Sequence, residues 1–481
     1  MAALPPGSPK NVDATAAGRP SRFDPSGELS YVGMLCLNIF LYLALAMLSL
    51  SFINCVGKFS PVQLAAYRNE FLVGLVKGLG LDRASLGQLK AAGFVLIALL
   101  LADYAWAIYI FRRRPDKRLG VIMAVAAGAS AALLLAPPML SRDIFSNIFY
   151  GKIVAHYGTN PYIEGPQRFI NDPAFTTIST YWKNTPIVYG PFYTLFAAGL
   201  AKLSGEGLVS SIYVNKAAMA FFHLGNVLLI WKLLGRFYPR RRLAGTLIYA
   251  WNPLVIIHSV GGGHNDVMMA FFAVLALYLA LADHGRAAVF ALTLSVLTKY
   301  VTAVLLAVLL LYLVRRHSGW RDRLKEAVVC GLIVLAVTAL LFAPFWEGAS
   351  TLQTTRENFK LTTPNSMGSL LSRLFSFVFC TVLRQPLERA QSWGWSCARG
   401  LLSLAFLALF LRYALRCRSR GELLESWTMI LAAFLLTTSY LYPWYMVWVI
   451  PFIAMREWDR RTRWMLALST AFVFFNNDLN P

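Results

Sequence analysis

Asp143 is the residue of this sequence best suited to general-base chemistry. It stands in the segment Ala-Pro-Pro-Met-Leu-Ser-Arg-Asp, directly after an apolar run. A carboxylate so placed can take the proton of a hydroxyl group while that oxygen forms a new bond. Arg142 would keep it ionised and Ser141 would orient it. The alternative interpretation is a solvated ion pair at a helix end, which contributes little free energy.

Further polar and aromatic side chains occur in short segments between apolar runs. The turn Gly-Gly-Gly-His-Asn-Asp carries hydrogen-bonding groups suited to sugar hydroxyls, although Asn265 or Asp266 is equally well explained as a helix N-cap. Asn-Pro-Tyr and Tyr-Gly-Pro are also ordinary turn sequences, and the last aromatic group is also typical of an interfacial belt. The candidate binding residues are Arg142, Asn160, Tyr162, Tyr189, His264, Asn265, Asp266, Asn365, Tyr442, Trp444 and Tyr445.

Lys299 is the candidate cation, because it interrupts an apolar stretch. A lysine at the bilayer centre costs about 2.5–3.5 kcal/mol on insertion scales, so we expect it to have an anionic partner. Asp103 and His223 also lie inside apolar runs, where we expect structural hydrogen bonds between helices. His258 and His264 lack the i,i+4 spacing of a zinc-binding helix, so we predict no metal site there.

The elements that must position these residues are membrane helices. Hydrophobic residues make up 57% of the 481 positions and charged residues 14%. Apolar runs of about 18 residues or more recur, and each can cross the hydrocarbon core only as a helix. We therefore predict an all-α, polytopic transmembrane protein of about twelve or thirteen spans, with outer juxtamembrane or re-entrant helices.

The net charge of +22 sets the expected orientation. The basic residues form clusters between apolar runs, which is typical of cytoplasmic loops and requires no nucleic-acid partner. Contact with membrane lipids through anionic headgroups would follow from the same clusters. The five clusters are Arg112 to Arg118, Arg236 to Arg242, Arg315 to Lys325, Arg412 to Arg420 and Arg456 to Arg463.

Counting spans from these clusters divides the chain into a tail and one membrane domain. Residues 1–28 are predicted to be a disordered cytoplasmic tail, and 29–481 a single membrane domain. Residues 140–188 form a non-cytoplasmic loop in this scheme, and 55–89 form another. The apolar segments 189–204 and 366–383 do not fit the charge pattern as full spans, so the first is predicted to be a re-entrant or surface helix. All candidate site residues then lie on the non-cytoplasmic side.

The order of these motifs resembles that of the GT-C membrane glycosyltransferases. Ser-Arg-Asp-Ile-Phe is followed by Asn-Pro-Tyr, Tyr-Gly-Pro, Trp-Asn-Pro-Leu with Gly-Gly-Gly-His-Asn-Asp, the lysine in an apolar hairpin, and Tyr-Pro-Trp-Tyr. The sequence is most similar to bacterial polyprenyl-phosphate-mannose-dependent α-mannosyltransferases, from about residue 135 to 455. Two features differ: the loop bearing Asp143 follows the third span, and its acidic motif is a single Asp.

The resemblance implies a glycosyltransferase with Asp143 as its catalytic base. It implies a polyprenyl-phosphate sugar donor, with mannose favoured over the alternatives glucose, arabinose and aminoarabinose. It also implies a glycan, glycolipid or protein acceptor. It implies a multi-pass protein of the plasma membrane with its site on the non-cytoplasmic side. We expect no cofactor, since a single Asp gives no support for a divalent metal. The main alternative is a lipid-linked sugar flippase or secondary transporter, which would place charged residues along a path at mid-membrane.

Overall fold

A computed structural model of the chain describes residues 25–56, 74, 77–113, 119–138, 140–358 and 361–474. The regular structure of these residues is helical, without strands. The predicted tail 1–28 lies outside them as far as residue 24, but a helix begins at Pro25, within the segment that we expected to be disordered. Residues 57–73 and 75–76 of the 55–89 loop also lie outside the described residues.

The bounds of the helices follow the apolar runs of the sequence. The α-helices are Pro25–Val56, Leu86–Arg113, Leu119–Leu135, Asp143–Ala155, Thr180–Lys183, Pro191–Ser204, Leu208–Phe237, Arg242–Ala250, Pro253–Ile256, Asp266–Leu281, Gly285–Val296, Ala303–Arg315, Trp320–Phe342, Gln353–Asn358, Met367–Thr381, Leu387–Arg416, Arg420–Thr437, Ile450–Met455 and Arg460–Ala471. Short 3-10 helices include Pro166–Phe169, Pro173–Thr177, Tyr300–Thr302 and Pro443–Trp448, and Ile257–Gly261 is a π-helix.

Several helices have the length and composition of membrane spans. Among the described residues, five helices are both long enough and apolar enough to cross a membrane. Pro239–Ala250 with Pro253–Gly261 forms a further candidate that bends by 47°. The predicted all-α, multi-pass membrane fold is therefore confirmed. Further apolar helices of 10–17 residues are shorter than a full crossing. The total of about twelve or thirteen spans stays a prediction, because it includes these short helices.

The basic clusters gather at one end of the helix bundle. Ion pairs, hydrogen bonds and a cation–π contact connect all five clusters to residues near a neighbouring cluster. These contacts are Arg112 with the Trp458 ring, Arg241 with Glu457, Arg456 with Glu425, Arg461 with Tyr413, Arg315 with the Ala414 carbonyl, and Arg316 and Arg420 with Asp283. The structure thus places on one side the loops that the charge pattern assigned to one side.

The candidate site lies at the opposite end of the bundle. Three helices begin next to a basic cluster or next to Asp283, which pairs with two of the clusters. Each of these helices ends at a segment that carries a candidate site residue. These helices are Leu119–Leu135, Gly285–Val296 and Arg420–Thr437, and they lead to Asp143, Lys299 and Tyr442.

Buried polar groups inside the bundle join neighbouring helices. The Tyr104 hydroxyl donates to the Ile248 carbonyl at 2.6 Å. The Asn38 amide donates to the Asp103 carboxylate, also at 2.6 Å. Asp103 therefore makes the helix–helix contact that we expected of it.

The segment 140–188 is not a simple loop, which corrects the sequence-based description. It begins with a 13-residue helix, Asp143–Ala155, most of whose side chains are buried. The helix packs against Pro191–Ser204, and a Cβ at Gly151 would meet the Ala197 backbone. Periodicity did not reveal this helix, because it is too short and too buried on every side to show an amphipathic pattern.

The two segments that did not fit as spans both form short helices. Pro191–Ser204 has 14 residues, which is roughly 21 Å of helix and less than the hydrocarbon thickness. Met367–Thr381 has 15 residues and lies along Leu387–Arg416, where a Cβ at Gly394 would meet Ser372. Their lengths agree with partial insertion.

Candidate functional site

The helix Asp143–Ala155, hereafter the Asp143 helix, begins at the candidate base. The Ser141 hydroxyl accepts a hydrogen bond from the Asp143 backbone amide at 3.1 Å. The positive end of the helix dipole favours a negative charge at the first helical residue. Arg142 is the N-cap residue and is partly buried. The position of Asp143 is therefore determined by a helix start rather than by an irregular loop.

The Gly-Gly-Gly-His-Asn-Asp turn packs on the first turn of the Asp143 helix. Gly263 has a φ of 68°, in the left-handed region that favours glycine. A Cβ at Gly263 would overlap the Ile144 side chain. This close approach brings His264 Nδ1 to 3.8 Å from Asp143 Oδ2. The separation exceeds a hydrogen bond but lies well within electrostatic range.

The carboxylate and the imidazole differ in exposure. The Asp143 side chain is 18% exposed, whereas that of His264 is 2% exposed. Among the described residues, His264 Nε2 has no hydrogen-bond partner. The same is true of both nitrogens of His258, whose ring centroid lies 6.0 Å from that of His264. Asp143 is thus the member of this group that a molecule arriving from solvent can reach.

A stack of three rings leads away from Asp143. His264 stacks on Trp444 with ring centroids 4.2 Å apart, and Trp444 stacks on Tyr442 at 4.4 Å. Pro443 starts the 3-10 helix Pro443–Trp448, which places these aromatic side chains close together. The stack is an apolar wall that ends at the buried imidazole.

Lys299 forms a buried ion pair. Its ammonium donates to Asp266 Oδ1 at 2.6 Å, and the indole of Trp448 donates to the same oxygen. The Asp266 side chain is 0% exposed, whereas that of Lys299 is 15% exposed. The expected anionic partner of Lys299 is therefore Asp266, and this pairing leaves Asp266 enclosed.

Aromatic rings surround the Lys299 ammonium on its other sides. The ring centroids of Tyr189, Tyr445 and Trp448 lie 5.5, 5.0 and 5.4 Å from Nζ. Cation–π contacts at such distances stabilise an ammonium group that has been removed from water. Lys299 therefore lies at the turn of its helical hairpin, as predicted, and in an aromatic enclosure.

The Tyr-Gly-Pro turn is joined to the segment that carries Lys299. The Gly190 amide donates to the Thr298 carbonyl at 3.2 Å, and the Phe192 amide donates to the Leu297 carbonyl at 3.0 Å. A Cβ at Gly190 would overlap the Leu297 backbone, so only glycine fits without displacement. These contacts fix Tyr189 beside Lys299.

Asn160 and Tyr162 make bonds within the outer segment. The Asn160 amide donates to the Phe345 carbonyl at 2.8 Å and to Glu347 at 2.9 Å. The buried Tyr162 hydroxyl donates to the Tyr189 carbonyl at 2.8 Å. Their side chains therefore connect the outer segments to one another in this structure, and a role in substrate binding stays a prediction.

Asn265 and Asn365 have different surroundings. Asn265 is buried and is the N-cap residue of Asp266–Leu281, without a side-chain capping bond. Asn365 is exposed. Two residues earlier, the Thr363 hydroxyl accepts from the Leu441 amide at 2.8 Å, next to the start of the Tyr442 segment. Asn365 thus belongs to a loop adjoining the aromatic stack.

The Asp143 carboxylate and the Lys299–Asp266 pair belong to one site. Tyr189, Tyr193 and Tyr445 each lie within electrostatic range of both Asp143 and Asp266. Segments as far apart in sequence as Asp143 and Tyr445 therefore combine a reachable carboxylate, a cation and aromatic walls. Of the predicted site residues, the structure brings together Asp143, Tyr189, His264, Asp266, Lys299, Tyr442, Trp444 and Tyr445.

Two residues near this site were not predicted from the sequence. Trp448 bonds to Asp266, but an indole in an apolar helix gave no signal. Lys216 is fully buried and donates to the Leu133 and Ala136 carbonyls at 2.5 and 2.6 Å, at the end of the helix that precedes Asp143. Its position in an apolar run, like that of Lys299, could have identified it.

A second ion pair stabilises the outer segment. Lys152 donates to Asp172 at 2.5 Å, and the Tyr157 hydroxyl donates to the same oxygen at 2.6 Å. Burial acts to raise the pKa of Asp172, but the bonds from Lys152, Tyr157 and the Ala174 amide outweigh it and hold that pKa below its usual range. Burial and the bond to Asp172 raise the pKa of Tyr157 to about 12. This group fixes the Asp143 helix to the segment that follows it.

Metal ligands are not grouped in the part of the chain that the structure describes. No set of three or more His, Cys, Asp or Glu side chains there could hold an ion together. The expectation that the protein has no cofactor stays a prediction.

Comparison with known proteins connects this geometry to a family. The family model described as alpha-(1->6)-mannopyranosyltransferase, N-terminal domain, matches residues 49–315, more than half of the chain. The matched part includes Asp143, the glycine-rich turn and Lys299, and it ends before the aromatic stack at Tyr442.

Curated relatives agree with this match over different lengths. A probable alpha-(1->6)-mannopyranosyltransferase of Mycolicibacterium smegmatis is 32% identical over 141 residues, 28% of this chain and 24% of the relative. The chain thus spans about a quarter of that relative's length. Alpha-(1->6)-mannopyranosyltransferase A of Mycobacterium tuberculosis is 27% identical over 72% of this chain and 68% of its own length. The protein of that name from Corynebacterium glutamicum is 25% identical over 48% and 49%. With a family match over most of its first 315 residues, this multi-pass membrane chain belongs to the alpha-(1->6)-mannopyranosyltransferase family.

Proposed function

We propose that this protein transfers mannose from a polyprenyl-phosphate carrier to an acceptor, with inversion at the sugar carbon, at the non-cytoplasmic face of the plasma membrane. The observation that carries the proposal is the position of Asp143, a reachable carboxylate at a helix start, beside a cation enclosed by aromatic rings. The names of the relatives support the choice of mannose.

Asp143 acts as the general base. It accepts the proton of the acceptor hydroxyl, whose oxygen forms the new bond to the sugar carbon while the bond from that carbon to the carrier phosphate breaks. The electron pair of the broken bond leaves with the polyprenyl phosphate, which needs no added proton to depart. A single displacement with one base inverts the configuration, as in inverting glycosidases.

Lys299 supplies the positive charge for the departing phosphate. Its ammonium is already removed from most of the solvent, where an added anion interacts more strongly than in water. Asp266 balances this charge in the absence of donor. His264 and the hydroxyls of Tyr189, Tyr442 and Tyr445 are the nearby donors for phosphate or sugar oxygens.

The surroundings suit a substrate that is part lipid and part sugar. Apolar and aromatic side chains lie beside the polar groups at the end of the bundle away from the basic clusters. The basic end would contact anionic lipid headgroups on the cytoplasmic side. The acceptor would be a glycan, glycolipid or protein, and neither a cofactor nor nucleic acid has a part in this scheme.

The test is transfer by the purified full chain in the presence of a panel of polyprenyl-phospho-sugars. We expect labelled mannose to reach a mannoside acceptor from polyprenyl-phospho-mannose, and not from the glucose or arabinose carriers. Transport of an intact lipid-linked sugar across vesicles, without transfer, would instead support the flippase alternative. Release of carrier phosphate with no transfer to any acceptor would contradict the proposal.

A further inference from the structure

Asn147 lies one helical turn beyond Asp143 on the same face of the Asp143 helix. Residues four apart on a helix are neighbours, with Cβ atoms about 5–6 Å from each other. Tyr150, which continues this face, lies within electrostatic range of Asp143 and donates to the Thr185 carbonyl at 2.8 Å. Gly151 packs on Ala197. Asn147 therefore stands between the carboxylate and the packed part of the helix.

The Asn147 side chain is buried without hydrogen bonds. It is 1% exposed, and neither its amide nitrogen nor its carbonyl oxygen has a partner in the described part of the chain. Burying a carboxamide in this way costs free energy that a leucine of similar shape would avoid. A ligand that supplied both a donor and an acceptor would remove this cost.

We propose that Asn147 binds a hydroxyl group of the acceptor sugar and thereby selects the acceptor. This inference rests on the proposed function. Asp143 is 18% exposed and must contact the reacting hydroxyl. Because Asn147 is deeper on the same face, it meets another hydroxyl of the same ring. A sugar hydroxyl both donates and accepts, so it matches a carboxamide that has both capacities unused.

The alternative occupant is the sugar of the donor. The Lys299 ammonium and its aromatic enclosure are the features that would bind the carrier phosphate. Asn147 instead belongs to the helix that presents the base, and the base contacts the acceptor. The geometry therefore favours the acceptor as the substrate whose hydroxyl Asn147 binds. Separate kinetic constants for acceptor and donor distinguish the two possibilities.

The experiment compares wild type with Asn147→Leu in the full chain. The acceptor is octyl α-D-mannopyranoside, used beside its monodeoxy analogues, and the donor is polyprenyl-phospho-mannose. In wild type we expect kcat/KM to fall about tenfold or more for one analogue that lacks a non-reacting hydroxyl. With the complete acceptor, the kcat/KM of Asn147→Leu should be lower than that of wild type by a similar factor. Asn147→Leu should use that analogue as well as it uses the complete acceptor. Its KM for the donor should equal that of wild type.

A matched control separates recognition from folding. Asn226 is also buried, but its amide donates to the Val267 carbonyl at 3.1 Å. Asn226→Leu should lower the melting temperature and keep the discrimination between acceptors. Asn147→Leu should melt at or above the wild-type temperature. If it fails to fold, Asn147→Ala replaces it in the same comparison.

Several results would overturn the inference. One is that Asn147→Leu discriminates between the complete acceptor and its analogues as strongly as wild type does. Another is that Asn147→Leu changes only the KM for the donor. If wild type transfers no sugar, the proposed function fails, and a second measurement still applies. Methyl α-D-mannopyranoside should then raise the melting temperature of wild type more than that of Asn147→Leu, and equal shifts would reject a sugar contact by Asn147.

Discussion

At the scale of single residues, the environments of two aspartates separate their roles. Asp143 and Asp266 both stand at the start of a helix, near the same tyrosines. Asp266 is fully buried and bonded to Lys299 and Trp448, whereas Asp143 is partly exposed and 3.8 Å from His264. From sequence alone, Asp266 was a candidate binding residue or a helix N-cap. The structure gives it instead the role of counter-ion.

The first prediction concerns this ion pair. Lys299→Met leaves the Asp266 carboxylate buried and without its cation. Removing one partner of a buried ion pair lowers the free energy of unfolding by about 3–5 kcal/mol. We therefore expect the single variant to melt well below wild type in detergent. Lys299→Met combined with Asp266→Asn should recover much of that stability and still bind donor poorly. Equal melting of wild type and the single variant would show that the pair does not stabilise the fold.

At the scale of elements, glycine turns connect segments that are distant in sequence. Gly263 lets the glycine-rich turn approach the Asp143 helix, and Gly190 lets the Tyr-Gly-Pro turn approach Leu297. The sequence predicted that both segments are turns, because glycine and proline have local conformational preferences. It could not predict their packing partners, since a local preference does not specify a contact.

The second prediction tests the turn at Gly190. Gly190→Ala puts a methyl group into the Leu297 backbone, so the Tyr189 turn must move away from Lys299. We expect a lower melting temperature and a loss of transfer of tenfold or more, since small displacements of a site reduce rates strongly. Gly199→Ala is the control: it lies in Pro191–Ser204 with open space around it, where alanine favours the helix. Unchanged transfer by Gly190→Ala would contradict this account.

At the scale of the whole molecule, the sequence predicted the all-α membrane fold and the grouping of the basic loops, and it was less informative about contacts between helices. Apolar runs and basic clusters predicted the all-α fold and placed the clusters together. The Asp143 helix and the partners of Lys216 and Lys299 were not predicted. Most helices here are apolar on all sides, so the hydrophobic pattern does not indicate which face meets which neighbour. Charge counting also cannot tell a short inserted helix from a full span.

The third prediction concerns orientation in the membrane. Ile170 and Ser318 are exposed, the first in the outer segment and the second in a basic cluster. With the six native cysteines replaced, Ile170→Cys should react with a membrane-impermeant thiol reagent on intact cells, and Ser318→Cys only after lysis. His264 is too buried to serve as a labelling position. The opposite labelling pattern would place the site on the cytoplasmic side.

Asp143→Asn tests whether Asp143 is the catalytic base that we propose. The substitution keeps the shape of the side chain and removes its basicity, and loss of a general base lowers rates by about 10²–10⁴-fold. Binding of the donor should remain close to that of wild type, because Lys299 and its aromatic enclosure are unchanged.

The measurement is mannose transfer by purified Asp143→Asn, with donor affinity determined on the same preparation. Glu164→Gln is the matched control, since Glu164 is a carboxylate of the same outer segment that pairs with Arg168, whose side chain is 60% exposed. Asp143→Glu keeps a carboxylate and should retain part of the activity. We expect transfer by Asp143→Asn to fall at least a hundredfold while donor binding is preserved. Near-normal transfer by Asp143→Asn would contradict the proposed role of Asp143.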